Sequence, residues 1–319
     1  MKKVICLGEA LVDFISLEPA ESLKQAERFV RAPGGAVCNV AVGLARLGIN
    51  VRLITKLGID PFGQFMADFL KSERVDVSKI KFTSEHLTPL VFVSLDRERN
   101  PSFFFYGEPG ADRLLSPDEI SEKDLEDAEI FHFGTVSLSI EPVRSATLKA
   151  LELAEKRKML ISFDPNFRLH LWEDPQELKG LTQRLVSRSH LIKLNLEELA
   201  FLTGFTAPEK GAKTVIDAGA KVVLITLGEK GAYFATKDYD GYVPAFKVNP
   251  VDTTGAGDAF ISAMIAWLAR FKEIPPEKDE LEQAVRFANA FAGLSTEKFG
   301  AIAGLCSWEE VELFIKKSS

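Results

Sequence analysis

Cysteine is scarce in this chain of 319 residues, with only Cys6, Cys38 and Cys306 present. They stand far apart, in no C-x-x-C or Cys/His spacing, which excludes a zinc module, a dithiol redox motif and a disulfide framework. Reduced thiols in a cytoplasmic protein are expected. Histidine is almost as rare: His86, His132, His170 and His190 are scattered, and each reads as structural. No run of Lys and Arg occurs and the net charge is −7, so nucleic acid is not expected as a main partner. No apolar stretch reaches the ~20 residues that span a bilayer, so no membrane association is expected. The start, "MKKVICLGEALVDFISL", has Glu9 and Asp13 inside its apolar stretch and no small-residue cleavage site, so it reads as a first strand rather than a signal peptide. The Walker pattern G-x-x-x-x-G-K-[ST] is missing too: "GAKT" at 211–214 has neither the spacing nor a preceding strand.

Apolar residues are plentiful at 46%, enough for a large core. Runs such as "KKVICLG", "NVRLITKLG", "AEIFHFG", "MLISFDP", "HLIKLN" and "AKVVLITLG" read as strands buried on both faces of a parallel sheet. Segments with helical periodicity lie between them, among them "AVCNVAVGLARLG" and "PVRSATLKALELAEKRK". The alternation predicts a three-layer α/β/α fold with a mainly parallel sheet. Residues 11–33 and 88–107 break it and read as hairpins, the second turning at Arg97–Pro101. They are expected to form a small second sheet, either a lid or a plain edge extension. The main domain then comprises 1–10, 34–87 and 108–319, and the lid is discontinuous in sequence.

"VDTTGAGDAF", 251–260, joins a β-rich segment to the apolar run "AFISAMIAWLARF". A helix N-terminus offers unpaired N–H groups and partial positive charge, and glycine lets an anion come close to the backbone. Gly255, Ala256 and Gly257 thus form a candidate anion site. Asp258, in the first turn, would repel a phosphate, which calls for a reason. It is either a base for an attacking hydroxyl or a helix cap. A dinucleotide fingerprint is a poor match, because its third Gly and the acidic residue on a following strand are missing. In "APGGAVCNVAVGLARLG", Gly34 and Gly35 give backbone access, and Asn39 both donates and accepts, which suits a neutral polyol. Asp13, in "GEALVDF", is suited to accept paired hydroxyls or is a plain loop residue. "FDPNFR" and "KLNLEEL" follow strand patterns, so Asn166, Arg168, Asn195 and Glu198 are expected near the carboxyl ends of parallel strands, where such sheets bind ligands.

Taken together, "GGAVCNVAVGLARLG" and "DTTGAGDAF" resemble the two signatures of the ribokinase-like sugar kinases, the phosphofructokinase-B family, in order and spacing. The resemblance implies ATP, Mg²⁺ and phosphoryl transfer to a sugar hydroxyl. It implies Asp258 as base and Gly255, Ala256 and Gly257 as the anion hole. Asp13, Gly34, Gly35, Asn39 and Arg168 would hold the sugar. Asn195, Thr226, Gly228, Gly231 and Asn289 would line the nucleotide site, with Glu198 organising Mg²⁺ through water. Asp252 and Thr254, with carbonyls of Ser295 and Gly300, would hold K⁺. Within the family "GEALVDF", "DPNFRLHLW" and "PGADRLLSPDEI" are most similar to the fructokinases. A 2-keto-3-deoxygluconate kinase shares part of the pattern, and a non-catalytic sugar-binding regulator is the reading of another class. Gly107 stands where many members carry Arg. An exposed second sheet of this kind would suit a homodimer formed through it.

Overall fold

The computed structural model describes residues 2–96, 101–107, 109–270 and 274–318. Arg97, Arg99 and the turn expected around them lie outside the described residues. The strands are β1 (Lys3–Leu7), β2 (Leu11–Ser16), β3 (Phe29–Gly34), β4 (Val51–Ile54), β5 (Lys56–Gly58), β6 (Lys81–Thr83), β7 (Leu90–Leu95), β8 (Pro101–Tyr106), β9 (Ala128–Phe133), β10 (Leu160–Phe163), β11 (Leu191–Asn195), β12 (Val222–Thr226), β13 (Ala232–Ala235) and β14 (Asp240–Val243). The α-helices are α1 (Ala36–Arg46), α2 (Pro61–Ser72), α3 (Val143–Lys156), α4 (Pro175–Val186), α5 (Leu196–Thr203), α6 (Pro208–Asp217), α7 (Ala256–Leu268), α8 (Lys278–Ser295) and α9 (Trp308–Lys317).

The main sheet runs β14-β13-β12-β11-β10-β9-β1-β4. Its pairs are parallel from β4 to β12, and β13 and β14 add an antiparallel edge. Alternation along each strand feeds two cores. On β1, Val4 and Cys6 pack with α1, α2, α7, α8 and α9, while Ile5 and Leu7 pack with α3 to α6 on the other face. This is the three-layer α/β/α architecture. Chain order reverses beside β1, between β4 on one side and β9 on the other, which creates the crevice where ligands of such sheets sit.

The run "NVRLITKLG" is not one strand. The chain leaves the main sheet at Thr55, and β5 pairs with β6 in a separate two-stranded sheet. The β-rich segment expected before "VDTTGAGDAF" is also short, since β14 ends at Val243.

The small sheet has the order β3-β2-β7-β8. Each hairpin is antiparallel, but they meet through the parallel pair β2–β7, with Val12 opposite Leu90. Strand β3 extends to Gly34, one residue past the boundary expected from sequence. One face buries Leu11, Ile15, Val91 and Val93 with Phe105 and Phe299. On the other face Phe14 meets Phe62 of α2 edge-on at 5.7 Å, and Arg31 sits 3.7 Å over Phe65. The sheet is therefore clamped to α2 and also reaches the main body at Phe105–His170, ring centroids 4.7 Å apart.

Candidate active site

The start of α7 explains why glycine precedes this helix. Gly255 is the N-cap, in the left-handed conformation at φ 77°, and a Cβ there would lie 2.5 Å from the Ala301 side chain. Ala256 donates its N–H to the Thr253 carbonyl at 3.2 Å. The N–H groups of Gly257 and Asp258 take no acceptor among the described residues and remain for a ligand. Asp258 is buried and does not cap α7. Its Oδ2 accepts from Asn39 Nδ2 (2.9 Å) and its Oδ1 from Asn166 Nδ2 (3.2 Å). Burial pushes its carboxyl above the ordinary range, opposed by the Asn39 hydrogen bond and the charges of Lys193 and Arg168.

Asn166 is held at φ 44° and is braced by Arg168, whose Nη1 donates to its Oδ1 (2.6 Å). Helix α1 brings Asn39. Its first turn has no cap of its own, but Glu9, just after β1, accepts from Ala36 N at 2.8 Å. Gly35 adopts φ 102°, with its Cα side against the Glu9 carbonyl. Asp13 projects from strand β2 of the small sheet against Gly34, where any Cβ would clash with its carboxylate. Burial, with Asp252 and Asp258 nearby, raises Asp13 to about 7, against the pull of Arg168. Asp13, Asn39, Asn166, Arg168 and Asp258 thus converge from the small sheet, α1, the loop after β10 and α7.

On the other side, Asn195 and Glu198 form a capping box at the start of α5. Asn195 Oδ1 accepts from Glu198 N (2.8 Å) and Glu198 Oε2 accepts from Asn195 N (2.8 Å). Glu198 Oε1 takes Phe167 N at 3.0 Å, which ties α5 to the loop carrying Arg168. Thr226, at the end of β12, lies in register with Asn195, and Gly228–Gly231 make the turn into β13. Asn289, on α8, donates to the carbonyls of Val243 (3.0 Å) and Pro244 (3.2 Å), so its amide anchors the segment after β14. Asp252 bridges two loops, accepting from Thr254 N and Gly300 N, both at 2.9 Å. Ser295 is buried at the end of α8, its hydroxyl on the Ala292 carbonyl.

One pair has no counterpart in the sequence reading. Lys193 on β11 points its Nζ to both oxygens of Asp164, at 3.2 and 3.0 Å, and both side chains are buried. Burial alone would lower the Lys193 ammonium, but the carboxylates of Asp164, Glu198 and Asp258 outweigh it and hold it above its ordinary value. A charge inside a strand run was the available signal; its partner is 29 residues away.

The sequence matches the pfkB family carbohydrate kinase family over residues 1–308. It is 40% identical over 314 residues to a protein of Arabidopsis thaliana named probable fructokinase-2, covering 98% of this chain and 95% of that one. A fructokinase variant from Vibrio cholerae O395, solved with fructose, ADP and a potassium ion, superposes with a TM-score of 0.88 at 34% identity, covering 98% of both chains. The fructokinase of Xylella fastidiosa with bound ATP gives 0.89 at 30% identity, over 99% of this chain and 98% of that one.

Proposed function

The chain belongs to the pfkB family of carbohydrate kinases, and from that membership we propose that it transfers the terminal phosphoryl group of ATP to D-fructose, giving fructose 6-phosphate. The observation that carries the reading is Asp258, a buried carboxylate three residues into a glycine-led helix, oriented by two side-chain amides from other elements. The fructokinase names of the relatives, and the fructose, ADP and ATP in the similar structures, support the substrates.

In this reading Asp258 takes the proton of the attacking sugar hydroxyl, while Asn39 and Asn166 keep its oxygens aimed. The N–H groups of Gly257 and Asp258 receive oxygens of the transferring phosphoryl group, in the anion hole of Gly255, Ala256 and Gly257. Asp13, Gly34, Gly35, Asn39 and Arg168 hold the sugar. Asn195, Thr226, Gly228 and Gly231 line the nucleotide side, and Asn289 shapes it through its backbone contacts. Among the described residues no cluster of three or more acidic, His or Cys side chains forms a metal cage. That fits Mg²⁺ carried mainly by phosphates and water, with Glu198, fixed by two backbone N–H groups, as its water-mediated partner. Bound Mg²⁺ would neutralise phosphate oxygens. The loops joined by Asp252 suit K⁺ held by Asp252, Thr254, Ser295 and Gly300, next to the anion hole. Free thiols at Cys6, Cys38 and Cys306 support a cytoplasmic location. Exposed Phe103, Phe104 and Tyr106 on the lid support a homodimer through that sheet, which sedimentation as a monomer would remove.

ADP release with Mg²⁺ and ATP across a panel of sugars, in K⁺ and in a bulky organic cation at equal ionic strength, tests this function. Fructose is expected to give the highest kcat/KM, with K⁺ accelerating. A clear preference for 2-keto-3-deoxygluconate would replace fructose with that acid, and no turnover of any sugar would favour a binding protein without catalysis.

A further inference from the structure

A carboxylate beside a phosphate needs compensation, and the chain supplies a buried cation at that place. The Lys193 side chain is 5% exposed and that of Asp164 4%. A Cβ added to Gly257 would lie 2.9 Å from Lys193 Nζ, so the ammonium sits directly beneath the glycine loop. Among the described residues both of its hydrogen bonds go to Asp164, and an ammonium has three N–H groups, so at least one is left over there. Its charge also acts on Asp258, and the Glu198 carboxylate acts on it.

We infer that Lys193 is a positioning residue for phosphoryl transfer: pinned by Asp164, it provides the fixed positive charge beneath Gly257 that lets a phosphoryl group and the Asp258 carboxylate occupy neighbouring places. The inference rests on the kinase reading above. In a water-poor site a fixed charge of this kind acts most strongly where negative charge develops, so its removal affects turnover more than sugar binding. It also explains why residue 257 is glycine, since a side chain there would displace the ammonium.

A buried ion pair can also be purely structural, and paired removal separates the two roles. Lys193→Met alone leaves Asp164 buried without a partner and destabilises the fold. Removing both charges relieves that cost. The test therefore uses Lys193→Met and the double variant Lys193→Met/Asp164→Asn, with kcat, fructose KM, melting temperature, and calorimetric affinity for ADP alone and for ADP with aluminium fluoride. The double variant is expected to melt near the wild type and to keep its fructose KM within about threefold. It should still lose about 10²-fold in kcat and bind ADP with aluminium fluoride more weakly, with ADP alone little changed. Recovery of kcat in the double variant, or unchanged affinity for ADP with aluminium fluoride, would overturn the inference and leave the kinase reading in place. Wild-type protein that neither turns over fructose nor binds ADP would end both.

Discussion

Asp258 has to be charged to act as a base, yet burial disfavours its charged form. The two amides that hold it, Asn39 on α1 and Asn166 in the loop after β10, are the local answer to that conflict. Asp258→Asn keeps the shape and removes the basic oxygen. It is expected to lower kcat by roughly 10²–10⁴ with a much smaller change in fructose KM. Near-wild-type turnover in a folded variant would end the assignment. Asp13 gives a pH dependence. Its carboxyl, at about 7, lies above the value of an unfolded chain, so the stability that its protonated form contributes is lost as pH rises through 7. In the proposed sugar site, hydroxyls donate to the charged form. Fructose should therefore bind more tightly, and raise the melting temperature more, at pH 8 than at pH 6, and Asp13→Asn should flatten both trends. Asp258 and Asn39 were legible because they sit in glycine-rich stretches that a packed core does not require, Asn166 and Asp13 because they follow apolar strand runs. Lys193 and Asp164 were not: "HLIKLN" reads as a strand whichever way its Lys points, and only the β10–β11 pairing brings it to the residue following β10.

Among the elements, α1 and α7 matter most, since they carry Asn39 and Asp258. They pack closely because Gly43 faces Ser262. A Cβ at Gly43 would stand 2.5 Å from the Ser262 hydroxyl and 2.9 Å from its Cβ. Gly43→Val must push the helices apart. A loss of about 1–3 kcal/mol in stability is expected from overpacking, measured by denaturant unfolding, together with a fall in kcat as the 2.9 Å Asn39–Asp258 bond lengthens. Stability lost with full activity would show that the pair tolerates the shift. The helices and the parallel strands were readable because burial on both sheet faces leaves long apolar runs between amphipathic ones. What such a run does not encode is which sheet it joins. Val51–Gly58 carries no turn signal and looks continuous, yet the chain breaks at Thr55 and changes sheets. Likewise, the lid hairpins are visible in alternation and turn residues, whereas the parallel seam between them depends on where the main body delivers their ends.

For the whole molecule, that seam has a consequence in time. Each lid hairpin closes over a short stretch, but Val12 can find Leu90 only after α1, β4 and α2 have been laid down between them. Closing so long a loop before the intervening chain is compact has a large entropic cost. The pairs β9–β10, β10–β11 and β11–β12 of the main sheet join strands much nearer in sequence and should therefore form first, with the two hairpins knitting together later. In pulse-labelled hydrogen exchange during refolding, amides of β10 and β11 should become protected before those of β2 that bond to β7. Protection of the seam ahead of β10 would show the reverse order. A late-closing seam also means that Asp13, proposed to hold the sugar, is fixed in place later than the core strands β9 to β12, so a newly made chain would gain its proposed sugar contact after the frame of its sheet.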